Sequence, residues 1–190
     1  DDNISVFVRD NERNEKVKGG HWIIDGMLYI SSPMDSYIYV LDIESGKSKV
    51  IHLHTQNQGG YISMVGNNND LWMLPYRGQT ILKWNPKTGN IREYVGFPKG
   101  FECIHPIYKT LTDEYPLNGW AFIGKEIYFT REWGNMDIKL DAETGVFTEW
   151  NVPIQNREKL NSVSKEYFYT TAKYGIVWSI EERVRYKLFY

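Results

Sequence analysis

The sequence has one cysteine, no long apolar run and no stretch with helical periodicity. Cys103 has no second cysteine to pair with, so an internal disulfide is excluded and cysteine usage does not indicate a compartment. No apolar run approaches the roughly 20 residues that a membrane-spanning helix needs. Apolar residues do not recur at the three- and four-residue spacing of an amphipathic helix, and we therefore predict almost no α-helix.

Neither sign of charge dominates. Lysine and arginine total 22 and aspartate and glutamate total 24, which gives a net charge of -2 and a pI near 6.1. This balance leaves no strong field to attract nucleic acid or an anionic membrane, and the aromatic residues do not lie among clustered basic residues. We expect no nucleic-acid partner and no membrane span, and the localisation is left open.

What the sequence does contain is aromatic residues, with 7 Trp, 14 Tyr and 8 Phe, and an internal repeat. Three segments, LDIESGK, WNPKTGN and LDAETGV, end in the same turn at residues 42–46, 85–89 and 141–145. In each copy an apolar residue precedes the turn by the same interval (28 to 42, 71 to 85, 127 to 141), and Tyr167 to Glu181 repeats it without the glycine. A repeat of this length, built of short aromatic strands, is typical of β-propeller blades.

We therefore predict an all-β chain, a β-propeller of about four four-stranded antiparallel blades with strands a to d in chain order. The blades are predicted at residues 21–55, 61–96, 119–153 and 159–190, with a partial blade at 1–20 and an insertion at 97–118. The turns between strands c and d have a mechanical reason to recur. Their Asp or Asn side chain can accept backbone N–H groups two and three residues on, and glycine takes a positive φ without strain.

The partial blade leaves two arrangements open. Its segment ISVFVRDNERNEKV repeats only the c and d strands, with Asp10 and Asn14 at the spacing of Asp42 and Gly46. Either the chain is part of a larger propeller, which we expect, or a ring closes in an unusual way. An unpaired hairpin edge at residues 4–17 would favour self-association.

Two families are similar to these repeats. YVLDIESGK and IKLDAETGV resemble the repeats of bacterial quinoprotein-like propellers, and WNPKTGNIREYVGFP and TGVFTEWNVP resemble the blades of streptogramin lyase and related bacterial propellers. The first resemblance implies a pyrroloquinoline quinone cofactor, and the second implies metal-assisted elimination on a cyclic depsipeptide. The residues themselves form no recognisable quinone site and do not place the lyase's catalytic histidine, so we predict no cofactor and assign no catalytic residue.

The candidate ligand-binding residues lie in loops that a propeller gathers on one face. The insertion holds Cys103 and His105, and a loop of its length is uncommon without a functional or disordered reason, although it could also be a packed cap over the channel or an interface plug. The connections between strands b and c each bring a cation, mostly beside an aromatic ring, which suits sugars, carboxylates or peptides. The candidates are Tyr76, Arg77, His105, Arg131, Glu132, Trp133, Lys173 and Tyr174.

Two functions follow from this set. The first is a binding module that recognises a carbohydrate, peptide or protein on the loop face. The second is a propeller-type lyase or glycan-processing enzyme with His105, Arg131 and Glu132 as its polar groups. No metal site is predicted, because His52 and His54 share one strand face but have no visible third ligand.

Overall fold

The computed structural model describes residues 19–57 and 59–150. These residues form 14 β-strands, and none of them is helical. They fall into two compact units divided between Val95 and Gly96. Within this part of the chain no helix is long and apolar enough to cross a membrane. The last predicted blade, and the partial blade apart from Gly19 and Gly20, lie outside the described residues.

The first unit contains two sheets of the same design. The strands are β1 (His21–Ile24), β2 (Met27–Ser31), β3 (Tyr37–Asp42) and β4 (Ser48–His52), followed by β5 (Tyr61–Asn67), β6 (Asp70–Pro75), β7 (Thr80–Trp84) and β8 (Ile91–Val95). In each sheet the strand order equals the chain order and every neighbouring pair is antiparallel. This meander is the arrangement of a propeller blade.

The second unit contains a small hairpin and a third four-stranded sheet. The strands are β9 (Cys103–Ile104) and β10 (Leu111–Thr112), then β11 (Leu117–Ile123), β12 (Glu126–Arg131), β13 (Ile138–Asp141) and β14 (Phe147–Glu149). The sheet is again an antiparallel meander in chain order. The all-β fold of propeller blades predicted from the repeat is therefore confirmed in the described residues.

The first strand of the third sheet begins earlier than the sequence predicts. The pattern places strand a from Trp120, whereas β11 begins at Leu117. Leu117 pairs with Arg131 and Trp120 with Phe129, so β11 carries one extra residue between these pairs. Such a bulge breaks the alternation of period two, and the pattern therefore hides the start of the strand.

The three repeated turns have the predicted geometry. Oδ1 of Asp42, Asn85 and Asp141 accepts the N–H groups of the residues two and three positions on, each at 3.0 Å. Gly46, Gly89 and Gly145 close the turns with φ of 68°, 77° and 80°. Hydrogen bonds from these backbone groups also hold the pKa of Asp42 and Asp141 below the usual range.

The apolar faces of the first two sheets form one core. Its central side chains, Ile38, Leu71, Met73 and Leu82, are fully buried. Tyr29 of the first sheet meets Trp84 of the second edge to face, with ring centroids 5.8 Å apart. In the second unit Trp120 packs on Phe129, and the indole Nε1 of Trp150 donates to the Phe129 carbonyl at 3.1 Å. Strands β3, β6 and β12 are each buried at four or more consecutive positions, so both of their faces are covered.

Candidate functional site

Part of the insertion folds as a hairpin. Strands β9 and β10 pair Cys103 with Thr112 and Ile104 with Leu111. Phe97 and Phe101 precede the hairpin and are buried, with ring centroids 4.9 Å apart. The segment is therefore a structured element with its own apolar anchor.

The turn of this hairpin copies the turns of the blades with different residues. Nδ1 of His105 accepts the N–H groups of Ile107 and Tyr108, both at 3.2 Å, as Asn85 does for its own turn. The Lys109 N–H donates to the His105 carbonyl at 2.9 Å, and Lys109 has a φ of 57°, the place of glycine in the blades. His105 therefore has a turn-forming role, in which Nδ1 is the hydrogen-bond acceptor.

Replacing His105 by phenylalanine should test this role. Phenylalanine keeps the aromatic ring but cannot accept the two N–H groups, so H105F should lower the free energy of unfolding of the second unit by about 1–2 kcal/mol. K109G should raise the same free energy of unfolding by about 0.5 kcal/mol, because glycine has no strain at positive φ. Urea denaturation of the full chain measures both. Equal stability of wild type and H105F would contradict the assigned turn.

The hairpin is tied to the loop between β12 and β13. The Ile104 N–H donates to the Trp133 carbonyl at 3.0 Å, and Cys103 forms a bridge with Gly134. Asn135 completes the attachment, since its side chain accepts from the Glu102 N–H at 3.1 Å and donates to the Gly100 carbonyl at 2.8 Å. The insertion and this loop, predicted to share one face, are thus in direct contact.

The side chains of two predicted site residues make intramolecular contacts at this loop. Nη1 of Arg131 donates to the Asn135 carbonyl at 2.6 Å, and its Nε lies 4.0 Å from the carboxylate of Asp137, which is buried. Glu132 accepts from Nδ2 of Asn118 at 2.7 Å. These contacts give Arg131 and Glu132 a role in fixing the loop.

Four rings form a continuous row across the attachment, which we call the aromatic row: Tyr108, His105, Trp133 and Tyr115. The centroid distances along the row are 4.5, 4.8 and 4.6 Å. Two predicted site residues, His105 and Trp133, are therefore neighbours. The other two rings were missed by the sequence reasoning, since only the hairpin fold brings them there.

The outer side of the hairpin is apolar and exposed. Ile104, Ile107, Tyr108 and Leu111 are 45%, 76%, 72% and 71% exposed, and we call these four side chains the hairpin surface. Ile104 and Leu111 are cross-strand partners, and the other two lie in the turn between them. Together they expose on the order of 400 Å² of mostly apolar area, which is within the range of the largest apolar patch on a typical monomer, and such patches are often functional.

The thiol of Cys103 is buried and unreactive. Burial, with a smaller contribution from Asp113, raises the pKa of its thiol to about 11. The thiol therefore stays protonated at neutral pH, and a thiolate–imidazole pair with His105 does not form. Cys103 acts as an apolar residue on the inner side of the hairpin.

Two of the remaining predicted residues belong to the first unit, and two lie outside the described residues. Tyr76 and Arg77 follow β6 in the first unit, with the Arg77 guanidinium 5.4 Å from the Tyr76 ring centroid. Lys173 and Tyr174 lie outside the described residues.

His52 packs its ring 4.7 Å from both Tyr37 and His54. Among residues 19–57 and 59–150 no three His, Cys, Asp or Glu side chains are grouped to hold a metal.

One sequence signal could have revealed the hairpin turn. HPIYK (residues 105–109) has the length and the second-position proline of NPKTG (residues 85–89). Histidine and lysine in place of asparagine and glycine hide the match. The exposed hairpin surface has no such signal, because a two-residue strand is too short to show alternation.

Comparisons with known proteins find likeness only among solved structures. No protein-family model matches the chain, and no curated protein matches it. A streptogramin B lyase structure is 21% identical, with a TM-score of 0.49 over 73% of this chain and 42% of its own. The WD40 domain of Neurospora crassa Pan2 is 13% identical, with a TM-score of 0.49 over 71% of this chain and 38% of its own.

A third solved structure is similar at the same level. An auxiliary nutrient binding protein from Bacteroides thetaiotaomicron is 16% identical, with a TM-score of 0.46 over 67% of this chain and 33% of its own. The chain thus spans less than half the length of each of these structures. Likeness at this level carries no argument about family, ligand or activity, and none of the three assigns the chain to a family.

Proposed function

We propose that the chain is a recognition module that binds an apolar segment of a protein or peptide partner through the hairpin surface. The observation that carries the proposal is the exposure of Ile104, Ile107, Tyr108 and Leu111 on one short hairpin. The buried core of an interface is more apolar than the rest of a protein surface, and apolar side chains release water when a partner covers them.

The support of the hairpin favours a binding role. Its backbone is fixed on one side by the Trp133 carbonyl and by both ends of the Asn135 side chain. A fixed element loses little conformational entropy when a partner binds, so more of the contact energy is left for affinity.

The polar groups near the hairpin argue against the other ligands considered. Carbohydrate recognition and lyase chemistry both need polar groups that can turn to the ligand. Here Nδ1 of His105 holds the turn, while Arg131 and Glu132 bond to Asn135 and Asn118. A protein or peptide partner needs mainly the apolar area.

Selection from a displayed library of random peptides tests the function. We expect the wild-type chain to select peptides with clustered apolar residues. Affinity for a selected peptide, measured by calorimetry, should fall at least tenfold in the variant I107D/L111D, because both side chains contribute anchor area. The control is V146D, at a residue of the same unit that is 55% exposed.

The affinities and melting temperatures of the two variants distinguish the possible outcomes. Loss of affinity in I107D/L111D with an unchanged melting temperature, and retention in V146D, would support the hairpin surface. Equal affinity of both variants would contradict it. A thermal-shift assay with a panel of oligosaccharides tests the competing ligand class. If an oligosaccharide stabilises the wild type and W133A abolishes this stabilisation, a carbohydrate binds at the aromatic row.

A further inference from the structure

The hairpin of β9 and β10 has one covered edge and one open edge. On the β9 side, the Ile104 N–H donates to the Trp133 carbonyl at 3.0 Å, and the Asn135 N–H donates to the Glu102 carbonyl at 2.9 Å. Strand β10 pairs with β9 alone, and among the residues that the structure describes no strand lies on its other edge. An open strand edge is a template for pairing with another chain.

The register of the hairpin fixes the direction of the Leu111 backbone groups. The His105 N–H donates to the Thr110 carbonyl at 2.9 Å, and the next pair is Ile104 with Leu111. Bonded and non-bonded pairs alternate in an antiparallel ladder, so the N–H and C=O groups of Ile104 and Leu111 point away from each other. The bond from Ile104 to Trp133 agrees with this geometry. Leu111 therefore directs both groups to the open edge, and the residue is 71% exposed.

Opposite charges flank Leu111 at equal distances along the chain. Lys109 lies two residues before it and Asp113 two residues after it, and both are exposed. Neither belongs to an ion pair within residues 19–57 and 59–150. If two copies run antiparallel with Leu111 opposite Leu111, Lys109 of each copy faces Asp113 of the other. The segment KTLTD (residues 109–113) is therefore self-complementary in charge.

We propose that two copies of the chain associate by pairing their β10 strands edge to edge, antiparallel, around a two-fold axis at Leu111. The Leu111 N–H of each copy donates to the Leu111 carbonyl of the other. The two hairpins become one four-stranded sheet, and Ile104 and Leu111 of both copies form a continuous apolar row across one face. A self-complementary surface of this kind is what a two-fold dimer requires.

The size of the hairpin surface makes this dimer weak. Each copy exposes on the order of 400 Å² there, so the pair buries at most about 800 Å², below the roughly 1,200 Å² at which stable interfaces begin. Association is therefore concentration dependent. The dimer rests on the open edge and the flanking charges, and it does not require that a peptide binds. Because both use the hairpin surface, a bound peptide and a second copy exclude each other.

Charge reversal tests the pairing, with sedimentation equilibrium of the full chain at concentrations up to about 1 mM, where interfaces of this size associate. K109D brings two carboxylates together at each end of the paired strands, and D113K brings two ammonium groups together. Each variant should weaken the dimer about tenfold. The double variant K109D/D113K restores opposite charges and should restore the wild-type constant. The control K99D makes the same charge change at an exposed lysine of the same unit and should change the constant by less than about twofold.

A mixture of the two single variants gives a second test. K109D and D113K pair poorly with themselves, but each complements the other, so the mixture should form mixed dimers about as strongly as wild type associates. A strictly monomeric wild type at about 1 mM would overturn the proposal. So would association that K109D and D113K leave unchanged, since it would use another contact. Either result leaves peptide binding, tested with I107D/L111D, unaffected, so the two proposals can fail separately.

Discussion

Replacing Gly60 by alanine should lower the free energy of unfolding of the first unit by about 3 kcal/mol, the upper end of the usual cost of overpacking, because the added Cβ would clash with backbone atoms. A Cβ at this position would lie 2.0 Å from the Ser32 carbonyl oxygen and 2.5 Å from the carbonyl oxygen of Asp35. Both are backbone atoms of the loop between β2 and β3, so no side-chain rotation relieves the clash. Hydrogen exchange of the β5 and β6 amides in the full chain measures the effect.

The neighbouring glycine is a matched control. A Cβ on Gly59 would lie 3.1 Å from Cβ of Arg77, a side-chain contact that small shifts can relieve. Neither glycine has a positive φ, so backbone strain is the same in the two variants. G59A should cost less than about 1 kcal/mol. Equal losses in G59A and G60A would show that the connection does not pack against the Ser32 loop as described.

Phe101→Ala should release the insertion from the third sheet. The Phe101 ring lies directly on Gly134, where a Cβ would come within 2.6 Å of Cζ, and it packs on Phe97. Removing a buried ring costs about 3–5 kcal/mol. We expect the loss to be local, so the amides of Ile104 and Asn135 should lose hydrogen-exchange protection while those of β12 and β13 keep theirs.

A conservative variant separates the packing from the chemistry of the ring. F101L keeps most of the volume and should cost less than about 1.5 kcal/mol, with protection of both amides retained. Unchanged protection in F101A would mean that hydrogen bonds alone hold the insertion. If the hairpin surface binds a peptide, F101A should also weaken that binding, because the hairpin loses its fixed position.

The sequence predicts what local chemistry determines. Asp42, Asn85 and Asp141 form their turns with atoms two and three residues away, so the geometry could be derived from spacing alone. The strands joined by these turns follow from alternation and β-branched content. The four-stranded blade then follows because consecutive hairpins in a repeat pair in chain order.

The candidate site depends on contacts that spacing does not encode. Cys103 meets Gly134 across 31 positions of chain, and Tyr115 joins the aromatic row through Trp133. Arg131 and Glu132 are charged loop residues in the sequence, but their partners Asn135 and Asn118 become visible only in the fold.

The way in which the insertion is fastened has a consequence for protein engineering. Its attachment uses backbone groups, the Asn135 amide and rings on the inner side, whereas the four hairpin-surface side chains point outward and are largely exposed. The side chains of Ile104, Ile107 and Leu111 take no part in this attachment, whereas Tyr108 also stacks on His105. The first three positions can therefore be randomised as a library on a constant scaffold, with new binding specificities selected at little cost in stability.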